Sequence, residues 1–275
     1  MTREEVIQKF IDNPKYMTNG AGALSKKWNC TIKDVNIARL HVRSIGNKIK
    51  EKVIVEKNNI ENILVIGDIH LPFELTNYLN FCKETYKKYE CNKVIFIGDI
   101  IDNHYSSYHE TDANGMGGLQ ELELAIDKVE AWYKAFPVAD VIIGNHDRII
   151  MRKAQSSAIP TKWIREYKEV LGTPKWNFTE SVTYNDVLYV HGEGGTARSR
   201  MKKDLQSVVQ GHLHTQAYTE WLVGRNIKIF GMQVGCGIEH KSYAMAYAKN
   251  YGKPAIGCGV ILDNGKQPIN VLMDL

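Results

Sequence analysis

Three apolar runs in this chain end in nearly the same way: ILVIGDIH at residues 63–70, VIFIGDIID at 94–102 and VIIGNHDR at 141–148. Each has the length and the Val/Ile content of a buried strand, and each stops at a glycine followed by a carboxylate or an amide. Glycine lets the backbone turn sharply, and the polar residue then falls at a strand's carboxyl end, where layered α/β folds build their sites. Helical stretches at 74–89 and 119–136 lie between the runs, so strand alternates with helix and an α/β domain follows. Residues 181–190 turn at Asn185-Asp186 and residues 256–275 at Asn264-Gly265, both hairpin signatures. The expected fold class is therefore α/β with two mixed β-sheets flanked by helices, over residues 60–275, and not a purely parallel sheet. At 275 residues the chain is long enough to bury a proper core, and no repeat or low-complexity tract interrupts it.

Ahead of this domain lies a different kind of sequence. Residues 1–57 hold 12 Lys+Arg against 6 Asp+Glu, leaving 23 against 25 in the rest, so the N-terminal piece is +6 and the remainder −2. Residues 4–12, 23–28 and 32–42 have helical periodicity, the last two separated by Asn29-Cys30-Thr31. Leu24, Trp28, Val35, Ile37 and Leu40 are available for a small shared core. This 1–50 segment resembles a helix-turn-helix module, and Lys33, Asn36, Arg39 and Arg43, with His41, would give its last helix a basic face for DNA. The alternative is a helical pair with a packing or dimer role only. Residues 44–59 suit a polar linker or an edge hairpin. No apolar run reaches the ~18 residues of a membrane span, and the charged start lacks a signal-peptide core. Five scattered cysteines without a C-x-x-C fit reduced thiols. A cytoplasmic protein with no membrane partner is expected; oligomeric state is not legible, and a dimer stays open.

Two further segments add histidines after apolar runs: LYVHGEGG with His191 and VVQGHLH with His212 and His214. Five of the nine histidines thus fall in four of the five strand-end motifs. Asp, Asn and His donors converging from several strand ends are what two divalent ions about 3.5 Å apart require, and one carboxylate can bridge both. A G-x-S-x-G elbow, a Gly-rich phosphate loop and a cysteine set against a histidine are all missing.

The ordered set D-x-H, G-D-x-x-D, G-N-H-D, H and G-H-x-H resembles the calcineurin-like metallophosphoesterases, which include phosphatases, phosphodiesterases and nucleases. The resemblance implies a sandwich of two mixed sheets. It implies that Asp68, His70 and His214 hold one metal, that Asn145, His191 and His212 hold the second, and that Asp99 bridges them. His146 would face the substrate as an acid, with Asp147 orienting its ring, Gly144 letting the chain turn, and Asp102 serving as a hydrogen-bond acceptor. Mn²⁺ is the first choice of ion, with Fe, Zn or Mg as alternatives, because mixed O and N donors select weakly among them.

One departure stands out. Phosphatase relatives carry an arginine after G-D-x-x-D, whereas Asn103 follows Asp102 here. Asn103, His104 or His109, Arg148 and Arg198 are the candidates for contacting substrate, and Tyr105 and Tyr108 could stack on bases or sugars. Arg200, Lys202 and Lys203 extend the basic run after HGEGG. The favoured expectation is a metal-dependent phosphodiesterase acting on nucleic acid, most of all a DNA nuclease. The alternative is a phosphatase or small-nucleotide phosphodiesterase with a structural N-terminal segment. The compact build with a helix-turn-helix-like start resembles phosphoesterases encoded by bacteriophages.

Overall fold

The computed structural model describes residues 1–43, 60–108, 112–242 and 252–274. The expected linker or hairpin at 44–59 and His109 lie outside these residues. Two compact units divide the chain, Met1–Ile60 and Glu61–Leu275.

In the first unit, helices α1 (Arg3–Asp12) and α2 (Ala21–Trp28) are followed by α3, residues 32–43. Thr2 and Glu5 cap α1 reciprocally, and Asn29, in the left-handed region at φ 46°, stops α2. Val6, Phe10, Leu24, Trp28, Val35 and Ala38 form the core, with Phe10 and Trp28 edge to face at 5.3 Å. Leu40, expected in that core, is 64% exposed. It lies five residues beyond Val35, about 140° around the helix at ~100° per residue, so Ala38 and the α1 side chains take its place. Arg39, expected to meet DNA, is turned inward: its guanidinium donates to the Asn19 carbonyl at 2.6 Å and lies over the Phe10 ring. Lys33, Asn36 and Arg43 are exposed. Their spacing of three and seven puts them, with Leu40, on one helix face.

The second unit contains two mixed sheets. One runs β11-β10-β1-β2-β3-β4, with β1 (Ile63–Ile66), β2 (Lys93–Phe96), β3 (Ala139–Ile142) and β4 (Trp176–Thr179) parallel and β10 (Gly257–Leu262) antiparallel to β1. The other runs β5-β6-β7-β9-β8, its centre β6 (Val187–Val190), β7 (Ser207–Gln210) and β9 (Lys228–Gln233) parallel and β8 (Tyr218–Val223) antiparallel at the edge. Both predicted hairpins form: β5 (Ser181–Tyr184) with β6, and β10 with β11 (Gln267–Leu272). Alternation sorts β1 cleanly. Ile63 and Val65 join Tyr189, Val209, Phe230 and Met232 between the sheets, while Leu64 and Ile66 face the outer layer. That layer is α4 (Tyr78–Lys88) and α5 (Gly118–Ala135), whose Tyr78, Ala125, Val129 and Trp132 are buried. Among the described residues no helix is long and apolar enough to cross a membrane.

Candidate metal centre

Asp68, Asp99 and Asn145 follow the carboxyl ends of β1, β2 and β3, while His191 and His212 follow β6 and β7, so both sheets discharge their polar residues into one place. Asp68, His70, Asp99 and His214 each offer a ligand atom within 4.8 Å of the others, and Asp99, His191 and His212 do the same. Asp99 belongs to both groups. Asn145 Oδ1 lies 2.9 Å from His191 Nε2, at the second group. Two glycines make room for this crowding. A Cβ on Gly144 would sit 2.1 Å from Asp99 Oδ1, and one on Gly98 (φ 111°) would sit 2.3 Å from His191 Nδ1. Gly144 is therefore needed less for a turn than for the close approach of Asp99.

Hydrogen bonds fix which ring nitrogens point inward. His70 Nδ1 faces the Asp102 carboxylate at 2.6 Å and His191 Nδ1 faces the Ile97 carbonyl at 3.0 Å, so each donates there. In the neutral ring each Nε2 is left with a lone pair. These lone pairs meet a carboxylate oxygen and, at His70, a second imidazole nitrogen. His70 Nε2 is 3.1 Å from His214 Nε2 and 3.7 Å from Asp99 Oδ2; His191 Nε2 is 3.2 Å from Asp99 Oδ2. Asp68 Oδ1 is buried with no hydrogen-bond partner. Acceptors converging on acceptors in a buried space fit a site for cations, and the O and N donor set suits divalent transition ions.

The electrostatics of the protein alone agree. Burial works against ionised carboxylates, yet the neighbouring His191 helps hold Asp99 well below the usual carboxylate range. Burial likewise opposes a charged imidazole at His191, but Asp99 and Asp68 outweigh it and push the group up to about 10. Two ionised carboxylates side by side thus favour positive charge at this place.

His146 stands at the edge of the cluster, its ring 4.6 Å from that of His70. Its Nδ1 donates to the Asp102 carbonyl at 2.6 Å, its main-chain N–H donates to Asp99 Oδ1 at 2.8 Å, and Asn103 donates to its carbonyl at 3.0 Å. The expected role of Asp147 is corrected here. Its carboxylate accepts from the Ile101 and Gly144 amides, tying the β2 exit to the β3 exit, and it is Asp102 that orients the His146 ring. Burial, then Asp99, pushes Asp147 up to about 6.

The substrate candidates fare unevenly. Asn103 stays at the edge, supporting His146. His104 is only 5% exposed; its main-chain N–H donates to Glu121 Oε1 at 2.7 Å and its Nε2 accepts from the Asp112 amide, so the ring is not presented to a substrate. Arg148 is bound by Glu180 and Glu193 as well as the Ile143 carbonyl, and Arg198 by Glu220. The residue that sequence reasoning missed is Glu121, whose carboxylate accepts the amides of both His104 and Tyr105 and so anchors the turn after Asn103. Its signal was present: Glu121 shares the buried stripe of α5 with Ala125, Val129 and Trp132, a place where a carboxylate needs partners.

The chain belongs to the calcineurin-like phosphoesterase family, whose model matches residues 61–229. Similar solved structures include Vacuolar Protein Sorting 29 of Cryptosporidium parvum, at 14% identity and TM-score 0.43, covering 78% of this chain and 92% of that one. Yfce, a phosphoesterase from E. coli, aligns at 12% identity and TM-score 0.37, covering 73% and 87%. Comparison with curated proteins returns no match.

Proposed function

We propose that this chain is a phosphodiesterase that cleaves nucleic acid, DNA first, using two divalent ions, Mn²⁺ first among them. The ions would be held by Asp68, His70 and His214 and by Asn145, His191 and His212. The observation that carries the reading is the membership of Asp99 in both ligand groups, since one shared carboxylate is what a paired site requires. When bound, such ions lower the pKa of water and neutralise phosphate oxygens. The protein's own part is proton delivery: with Nδ1 committed to the Asp102 carbonyl, His146 presents Nε2 for the leaving oxygen.

Two observations favour a diester over a monoester. A monoester dianion calls for a cationic clamp, yet Asn103 occupies the place after Asp102, and Arg148 and Arg198 are already engaged by glutamates. The exposed Lys33, Asn36 and Arg43 of α3 support a nucleic-acid substrate.

Hydrolysis of bis-p-nitrophenyl phosphate and p-nitrophenyl phosphate, each with Mn²⁺ and with chelator, is expected to show diester preference and complete loss with chelator. The double variant K33A/R43A is expected to weaken DNA binding and to flatten the log–log salt slope by about 1.8, at ~0.9 per phosphate contact. Monoester preference, or an unchanged salt slope, would contradict the respective half of the reading.

A further inference from the structure

Next to the metal centre lies a cavity of about 410 Å³, lined in part by Asn103 and Asp147. Its size falls in the range of small-molecule sites, roughly 300–1,000 Å³. Asn103 is the residue that holds the His146 carbonyl, so the cavity shares a wall with the edge where the leaving group would depart. The rest of the lining is mostly apolar, including Ile101, Leu122 and Met151, with the rings of Tyr105 and Tyr167 added.

Both tyrosines have contacts that hold them beside the cavity. The Tyr105 amide donates to Glu121 Oε2 at 3.2 Å, and its ring lies against Gly118, where an added Cβ would come within 2.8 Å of Cδ1. Tyr167 stacks on Phe178 at 5.3 Å and donates its hydroxyl proton to the Asp147 carbonyl. Tyr105 is nevertheless 58% exposed. An aromatic ring held in place with most of its surface in water is a platform for another planar ring, and such stacking is sequence-tolerant. Cations lie on the cavity wall and on the helix that carries Met151. Arg165 lines the cavity, and Arg152 and Lys153, directly after Met151, lie over the Tyr108 ring at 4.9 and 5.5 Å. Aromatic faces with interleaved cations match a nucleic acid strand: rings for the bases, cations for the backbone.

We propose that this cavity receives the nucleobase next to the phosphodiester cut at the metal centre, so that the substrate must present an unpaired base, as a single strand or a frayed end. The proposal rests on the phosphodiesterase reading above. A base stacked and paired within a duplex cannot enter a side cavity without being extruded from the stack. Asn103 and Ser106 supply polar groups for the base edge, while the apolar walls take its faces.

The test measures KM and kcat with Mn²⁺ for a single-stranded oligonucleotide, the matching blunt duplex and methyl p-nitrophenyl phosphate, in wild type, Tyr105→Ala and Leu122→Trp. Thermal melting and bound metal report whether each variant is folded, and Tyr105→Ala, at an exposed ring, keeps the test available if Leu122→Trp is not. Wild type is expected to favour the single strand over the duplex. Each variant is expected to raise the ratio of oligonucleotide KM to methyl ester KM about tenfold, the scale of one lost stacking contact. An unchanged ratio in both variants, or equal kcat/KM for duplex and single strand, would overturn the proposal while leaving the phosphodiesterase reading intact. Failure of the wild type to cleave any diester would overturn both.

Discussion

Asp99→Asn is expected to empty the metal centre and to cost roughly 10³-fold or more in turnover, about 4 kcal/mol of barrier, without unfolding the protein. Asp99 is the single carboxylate common to the two ligand groups. An amide of the same shape removes the negative charge that two cations would share and leaves a weaker donor behind. The fold should persist for two reasons. Asp99 sits at φ 50°, a left-handed conformation that asparagine tolerates well, and the amide oxygen can still accept the His146 N–H that now reaches Asp99 Oδ1 at 2.8 Å. The variant should therefore elute and melt like metal-free wild type while plasma mass spectrometry finds less than one ion per chain. A variant that retained both ions and most of its turnover would remove Asp99 from the bridging position.

His146→Gln is expected to behave in the opposite way, keeping both metals and losing about 10²–10⁴-fold in kcat on substrates with alkoxide leaving groups. The side chain falls in neither ligand group that contains Asp99; it groups instead with His70 and Asp102, its Nδ1 held by the Asp102 carbonyl. Under the proposed function, a group in that place serves by delivering a proton. Its value must then depend on what leaves: large for the sugar oxygen of DNA, which departs poorly without a proton, and small for p-nitrophenolate, which departs unaided. Equal losses on both substrates would mean that His146 positions the phosphate and does not protonate it.

What the sequence disclosed, and what it withheld, divides along physical lines. Strand ends were legible at residues 67, 98 and 144 because a glycine forced by close packing and a polar residue beside it break an apolar run, a purely local signal. The same local chemistry carried the hairpins at Asn185-Asp186 and Asn264-Gly265, where residues in the left-handed region are needed. The fates of the arginines were not legible. Arg148 meets Glu180 and Glu193, 32 and 45 positions away, and Arg39 finds the Asn19 carbonyl 20 positions back, so only the tertiary fold decides whether these charges face a ligand or a neighbour. Asp102 and Asp147 show the same limit. Both were visible as acids near the site, but which of them orients His146 depends on how the β2 and β3 exits dock. Leu40 was misplaced by reading an apolar residue as a core residue, when the helix phase set by Val35 and Ala38 turns it outward.

All of these roles presuppose that the cluster of acceptors around Asp99 is filled by a pair of cations. The direct measurement is a titration of chelator-stripped protein with Mn²⁺, following diesterase activity and bound metal together. Activity that climbs only as the second equivalent binds, and saturates at two ions per chain, is the predicted result. Full activity in stripped protein, or saturation at a single ion, would contradict it.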